Sequence, residues 1–181
     1  YEQKLGGNVS MIVGATYRMS AKMNGYSTNY RYATQSSVVD TLKHSVDTLA
    51  YGNLCFGDEI GVGISVKGGD KWHAEFNYLR SGWDKSGMDN APGFSAIGDS
   101  KFSTTTSQSY RLGFELVPNR NDIRYYMKRC AYRAGVYYDQ AYYKLDGNNI
   151  NSMGITLGMT LPVFRWYNGL TIGLDLGQKA S

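Results

Sequence analysis

The chain has 181 residues, which suit one domain or part of a larger one. It contains 22 Gly and 16 Tyr, has a mean hydropathy of −0.40, and has no run of about 18 apolar residues, so a helical membrane protein is excluded. The formal net charge of +4 is modest, and Lys and Arg do not cluster as a nucleic-acid footprint would, so we expect no nucleic-acid partner.

The first predicted strand runs from Val9 to Ala21 and alternates large apolar residues with polar or small ones, Ile12 being the exception. Residues 26–34 are aromatic and β-prone, and we interpret them as the returning strand. Residues 35–54 could form an extended hairpin or a short amphipathic helix, and the sequence favours the strand-like alternative.

The next predicted hairpin joins Ile60–Val66 to Trp72–Tyr78 through a turn at 68–71. Residues 84–106 are rich in Gly, Ser, Asp and Thr and predict a long loop of the kind that barrels expose outside the cell. Strands follow around Tyr110–Leu116 and Tyr132–Asp139, and a turn at 146–149 leads into the last pair.

The last pair of strands, within residues 150–176, gives the strongest signal for a membrane protein. One face is apolar, and the positions between are Gly, Thr and Ser, which suit a wetted lumen better than the surface of a soluble sandwich. The predicted lipid-facing residues are Met153, Ile155, Leu157, Met159, Ile172 and Leu174. The fold class predicted is therefore all-β, an antiparallel transmembrane β-barrel of the outer-membrane type, with about eight or nine strands in this chain.

Residues 118–178 also carry three consecutive strand patterns: R-x-G-x-Y-Y from Arg133, I-N-x-x-G-I-T-x-G from Ile150, and LTIGLDLGQK. With these patterns the segment resembles the C-terminal half of FadL-like outer-membrane proteins. The strand from Val9 and the hairpin at 60–78 extend the resemblance upstream.

The resemblance implies a barrel of about fourteen strands, plugged by an N-terminal hatch, through which hydrophobic compounds pass and leave sideways into the membrane. Residues 1–181 would be part of that single barrel domain, without the hatch and the last strand. Because the hatch supplies much of the family's ligand site, no ligand-contacting residue carries over to this chain. The same branch includes proteins proposed to handle lipopolysaccharide or to assist larger outer-membrane machines.

Few residues could support metal or disulfide chemistry. Cys55 and Cys130 belong to no CxxC pair, and His44 and His73 are the only imidazoles, so neither a metal site nor another cofactor is expected. Two unpaired thiols are favoured over a single bridge formed in an oxidising periplasm.

Catalysis is also not expected. His73 and Glu75 share a predicted face, but spacing by two is common in a polar lumen, and the GxSxG, HExxH and phosphate-loop motifs are absent. We therefore predict no catalytic residue and no enzyme.

A set of charged or titratable residues is predicted to share the lumen face. These are Arg18, Lys22, His73, Glu75, Arg111, Glu115, Arg133, Asp139 and Asp175. They could be mutually neutralising charges beneath a plug, or they could guide a solute.

Two functions in the cell outer membrane follow as hypotheses. One is the passage of hydrophobic or amphipathic small molecules, with outer-membrane lipid or lipopolysaccharide as surroundings or partner. The other is a structural or accessory subunit of an envelope complex, for lipopolysaccharide handling, protein secretion or barrel assembly, which would contact other outer-membrane proteins. A soluble lipocalin-like barrel is disfavoured, because its outer face would then be Gly and Thr rather than charged residues.

Overall fold

The computed structural model describes residues 1–23, 26–35, 38–48, 54–90, 96–97, 100–163 and 169–180, and it describes side chains outside 24–53 and 90–99. Strands dominate these residues, as expected from the period-two alternation. The strands are β1 Glu2–Gly6, β2 Val9–Arg18, β3 Ala21–Met23, β4 Tyr26–Gln35, β5 Val38–Thr48, β6 Leu54–Phe56, β7 Glu59–Gly68, β8 Trp72–Gly82, β9 Ala96–Ile97, β10 Ser100–Thr104, β11 Thr106–Leu116, β12 Ala131–Leu145, β13 Asn148–Pro162 and β14 Gly169–Ala180. Short 3-10 turns lie at Trp83–Lys85, Met88–Asn90 and Tyr126–Arg129.

Within the described residues, one antiparallel sheet contains ten strands. Its main path is β1, β2, β7, β8, β11, β12, β13 and β14, with β10 pairing the far end of β12 and β9 pairing β10. The structure thus confirms the all-β antiparallel fold class. In the described part of the chain, β1 and β14 each pair on one side only, so the sheet is open at both edges.

The connections differ in length at the two ends of the strands. We call the end that carries the β1–β2 and β7–β8 turns, at 7–8 and 69–71, the turn end. The opposite end, which we call the loop end, carries the long excursions 19–58 and 83–105 together with the two-residue turn 146–147. The loop 117–130 between β11 and β12 lies at the turn end.

The prediction for residues 26–34 is wrong in its pairing. These residues form β4, which pairs with β5, whereas the strand that returns beside β2 is β7, with Arg18 opposite Glu59. The hairpin between β2 and β7 therefore reaches much further along the chain than local alternation suggested. The extended alternative for 35–54 is confirmed over Val38–Thr48, and residues 36–37 and 49–53 lie outside the described residues.

Part of the predicted loop 84–106 has regular structure. The start of this loop is held at two points, because Cys55 N–H of β6 donates to the Ser86 carbonyl at 2.9 Å and the Thr106 hydroxyl of β11 donates to Asp84 Oδ1 at 3.2 Å. Asp89 accepts the Thr104 N–H at 2.7 Å, which ties the second 3-10 turn to β10. Residues 83–90 and 100–105, which belong to the described part of this excursion, are thus held to one another and to neighbouring strands at the loop end.

The described side chains form almost no apolar core. The buried hydrophobic residues among them are Val117, Cys130 and Ile150. A soluble domain of this length buries a large apolar core. The described part of this chain does not, so burial of such a core is not what stabilises its sheet. In the described part of the chain, no helix is long and apolar enough to cross a membrane.

Loop 117–130 is folded around Asp122. The N–H groups of Tyr125 and Arg124 donate to Asp122 Oδ1 at 2.7 and 2.9 Å, and Lys128 Nζ lies 3.7 Å from Oδ2. These contacts, with the Tyr125 hydrogen bond first, hold the pKa of Asp122 below its ordinary value of 3.8.

We predict that Asp122→Ala speeds amide hydrogen exchange at Arg124 and Tyr125, because both donors lose their acceptor. Asp122→Asn keeps an acceptor oxygen and should give a smaller effect. Because the folded pKa is lowered, the carboxylate's contribution is complete above the ordinary pKa and is lost as the pH falls through the folded value. The difference between wild type and Asp122→Asn should accordingly vanish in that acidic range, and a difference that persists there would contradict this account.

Candidate functional site

The sheet has one apolar face, made by alternate residues of successive strands. Cross-strand partners lie on the same face, and the ladder places Phe76, Leu112, Val136, Ile155 and Leu176 in one row across five strands. A second row, one pleat along, contains Ala74, Phe114, Ala134, Leu157 and Leu174.

The apolar face is open to its surroundings. Ile155, Leu157 and Ile172 are 54%, 51% and 56% exposed, and the described part of the chain puts nothing over them. The predicted lipid-facing residues Met153, Ile155, Leu157, Met159, Ile172 and Leu174 share this face. An apolar surface this extensive needs an apolar environment or a partner.

Aromatic residues border the apolar face. Tyr78, Tyr110 and Tyr138 are neighbours in one row towards the loop end, with ring centroids 4.9 and 6.3 Å apart. Trp72 and Tyr132 lie on the same face in the row nearest the turn end, with Leu116 between them. Rings with a polar group are favoured where apolar surface gives way to water.

The opposite face forms a polar trough of about 700 Å³. Glycine leaves space in it, because the face contains Gly113 and Gly135 as one cross-strand pair and Gly158 and Gly173 as another. Most of the predicted lumen-facing residues line it, namely His73, Glu75, Arg111, Glu115, Arg133, Asp139 and Asp175.

Two ion pairs cross the floor of the trough between β11 and β12. Arg133 Nε donates to Glu115 Oε2 at 2.6 Å, and Arg111 Nη2 lies 3.6 Å from Asp139 Oδ2. The other two predicted acids are bound by neutral donors, since Glu75 accepts from Asn77 at 2.5 Å and Asp175 accepts from Tyr137 at 3.2 Å. The trough therefore holds four carboxylates against two guanidinium groups and is acidic.

Tyr137, on β12, lies over a glycine of each of the next two strands, β13 and β14. A Cβ placed on Gly154 would come within 2.6 Å of the Tyr137 hydroxyl, and one on Gly177 would meet the same hydroxyl. The small residues that alternate with the apolar ones in β13 and β14 thus leave space in which a side chain from β12 packs. This arrangement could not be predicted from the sequence, because it depends on the register of β12, β13 and β14 together.

Two predicted lumen-facing residues are not brought into the trough. Arg18 shares the polar face but lies at the end of β2, where its Nη2 is 3.0 Å from Glu59 Oε2. Lys22 lies on β3 opposite Cys55, in a separate two-stranded sheet. The predicted set lacked three residues of the polar face: Glu59, Asn77 and Tyr137. The period-two alternation along their strands could have assigned them to this face.

Ser65 and His73 are the described pair that most resembles part of a catalytic arrangement. Ser65 Oγ and His73 Nε2 are 2.6 Å apart, but no described hydrogen bond joins His73 to an acid, and Glu75 is engaged by Asn77. No group of three His, Cys, Asp or Glu residues suited to a metal ion is found in the described part. Cys55 and Cys130 are free thiols.

These features define an all-β protein with one antiparallel main sheet. One face of that sheet is apolar and exposed with an aromatic border, and the opposite face is polar and rich in Gly. The sequence model of the BamG family matches residues 1–181, so the chain belongs to the BamG family. The match supports this family rather than the FadL-like family that the strand patterns suggested, and no comparison confirms the FadL-like assignment. No curated protein and no solved structure matches the chain significantly.

We predict that Leu157→Arg and Thr156→Arg differ sharply, although the positions are adjacent. Leu157 is on the exposed apolar face, so Arg there should cost roughly 2–4 kcal/mol near a bilayer midplane. Thr156 lies opposite Asp175, which can pair with an introduced Arg, so its cost should be small. Urea unfolding in lipid vesicles measures both, and equal tolerance of the two changes would refute the assignment of the faces.

We also predict that Gly154→Ala destabilises the sheet by about 1–3 kcal/mol, because the new methyl group displaces Tyr137 from its contact with Asp175. Gly173→Ala is the matched control, since a Cβ there meets nothing within 4 Å. Unfolding midpoints in the same detergent compare the two variants. A Gly154→Ala midpoint no lower than that of Gly173→Ala would show that Tyr137 does not depend on this glycine.

Proposed function

We propose that the chain lies in the bacterial outer membrane as part of a β-barrel and acts as a structural or accessory subunit of a β-barrel assembly complex. The observation that carries this proposal is the match to the BamG family over residues 1–181, a family whose name points to barrel assembly. The exposed apolar face supports the membrane location, because lipid can cover it where water cannot.

The open edges of the sheet support a role beside other strands. In a hydrocarbon environment each unpaired backbone N–H or C=O costs several kcal/mol, so the free edges of β1 and β14 need partners. All of β14, Gly169–Ala180, is exposed in the described structure. Further barrel strands or another outer-membrane protein would satisfy this edge.

The lengths of the connections suggest the orientation. Outer-membrane barrels place short turns on the periplasmic side and long loops outside the cell. By that rule the excursions 19–58 and 83–105 face outward, and the turn end with loop 117–130 faces the periplasm.

Transport of a hydrophobic compound is a second candidate with weaker support. The trough could admit a solute, but its acidic, ion-paired lining suits polar cargo better than apolar cargo. Loss of the protein should therefore affect barrel assembly if it is an assembly subunit, and uptake of small molecules if it is a transporter.

We predict that depletion of the protein lowers the amount of folded outer-membrane barrels, measured by their resistance to unfolding in SDS without heating. An Arg111→Gln variant, which alters the trough while removing an exposed ion pair of small energetic value, should restore assembly. A Leu157→Arg variant should not restore it. Normal barrel assembly after depletion, together with reduced uptake of small molecules, would overturn the proposal in favour of transport.

A further inference from the structure

Loop 117–130 presents exposed apolar residues at the turn end. Ile123 is 96% exposed, and Tyr125, Tyr126 and Met127 are exposed beside it. The loop is nevertheless ordered, because Asn119 N–H donates to the Lys128 carbonyl at 2.8 Å and Cys130 is fully buried. Exposed apolar side chains on a fixed loop call for an environment that covers them.

Basic residues surround this apolar tip. The loop contains one acid, Asp122, which Lys128 contacts, and four basic residues: Arg120, Arg124, Lys128 and Arg129. Lys128 Nζ lies 4.6 Å from the centre of the Tyr125 ring, and the Arg129 guanidinium lies 5.0 Å from that of Tyr126. Apolar and aromatic side chains with cations beside them are the composition that binds anionic membrane surfaces.

The tip is continuous with the border of the apolar face. The Tyr132 hydroxyl donates to the Met127 carbonyl at 3.0 Å, and Tyr132 is on the apolar face opposite Met159. The Tyr126 hydroxyl donates to the carbonyl of Pro162, at the end of β13, at 2.9 Å. Residues 126–127 thus lie where the hydrocarbon would end if lipid covers that face.

We propose that loop 117–130 is an interfacial anchor that binds the head groups of anionic phospholipids at the turn end of the barrel, with Ile123 and Met127 inserted between them. This proposal rests on the membrane location given in the proposed function. The anchor would fix the depth of the sheet in the bilayer and would favour acidic phospholipids in the leaflet that it touches.

The test measures the association of spin-labelled phosphatidylglycerol, relative to phosphatidylcholine, with the whole chain reconstituted in bilayers. The wild type should prefer phosphatidylglycerol, and the preference should fall with added salt. Replacing Arg124 and Lys128 by Gln together should weaken it, by roughly five-fold for each cation removed. Lys85→Gln with Lys101→Gln is the matched control, because it removes the same charge from exposed residues at the loop end.

The outcomes separate this inference from the proposed function. A chain that fails to insert in any bilayer contradicts the membrane location itself. An inserted chain with no preference for phosphatidylglycerol, or with a preference that the Arg124 and Lys128 changes leave intact, overturns the anchor and leaves the loop as a contact for an acidic protein. Insertion of the apolar tip is measured separately with a nitroxide attached at Ile123→Cys in a Cys55→Ser background. It should be reached more readily by oxygen than by a water-soluble nickel complex, and the reverse order would overturn the insertion.

Discussion

The main constraint on this structure is the apolar face of its main sheet, which the described part of the chain leaves uncovered. Rows of Val, Ile, Leu and Phe run across β7, β8, β11, β12, β13 and β14 and remain exposed, while very few apolar residues are buried among the described side chains. In water such a sheet would leave most of its apolar surface uncompensated. In a surrounding hydrocarbon phase the exposed apolar surface no longer costs free energy, and the other features of the sheet are consistent with such surroundings.

The polar face follows from the same constraint. In the proposed membrane setting the apolar face meets lipid, and the alternate positions on the opposite face are small or polar, which suits contact with water. Gly113 and Gly135 are a cross-strand pair of small residues there, and Arg133 and Glu115 form an ion pair. Tyr137 fills the space above Gly154, so a side chain from one strand supports two others.

The two ends of the strands carry different chemistry. At the loop end, residues 83–90 and 100–105 are held by backbone hydrogen bonds and by Asp89. At the turn end loop 117–130 is ordered around Asp122 yet exposes Ile123 and a set of cations. This asymmetry matches a protein whose two sides meet different surroundings, and membership of the BamG family suggests that other outer-membrane proteins are among them.

The sequence alone determined the all-β class and the membership of the two faces, because side-chain direction in a strand alternates with a period of two whatever the strand pairs with. For this reason Leu157 and Thr156 could be assigned to opposite faces without a structure. Strand partners depend on contacts between residues far apart in the chain, so local pattern misassigned β4 as the partner of β2 and included Lys22 with residues that it does not join. The tertiary structure alone decided the pairing of Arg133 with Glu115 and the position of Tyr137 over Gly154, since each requires the register of two or more strands.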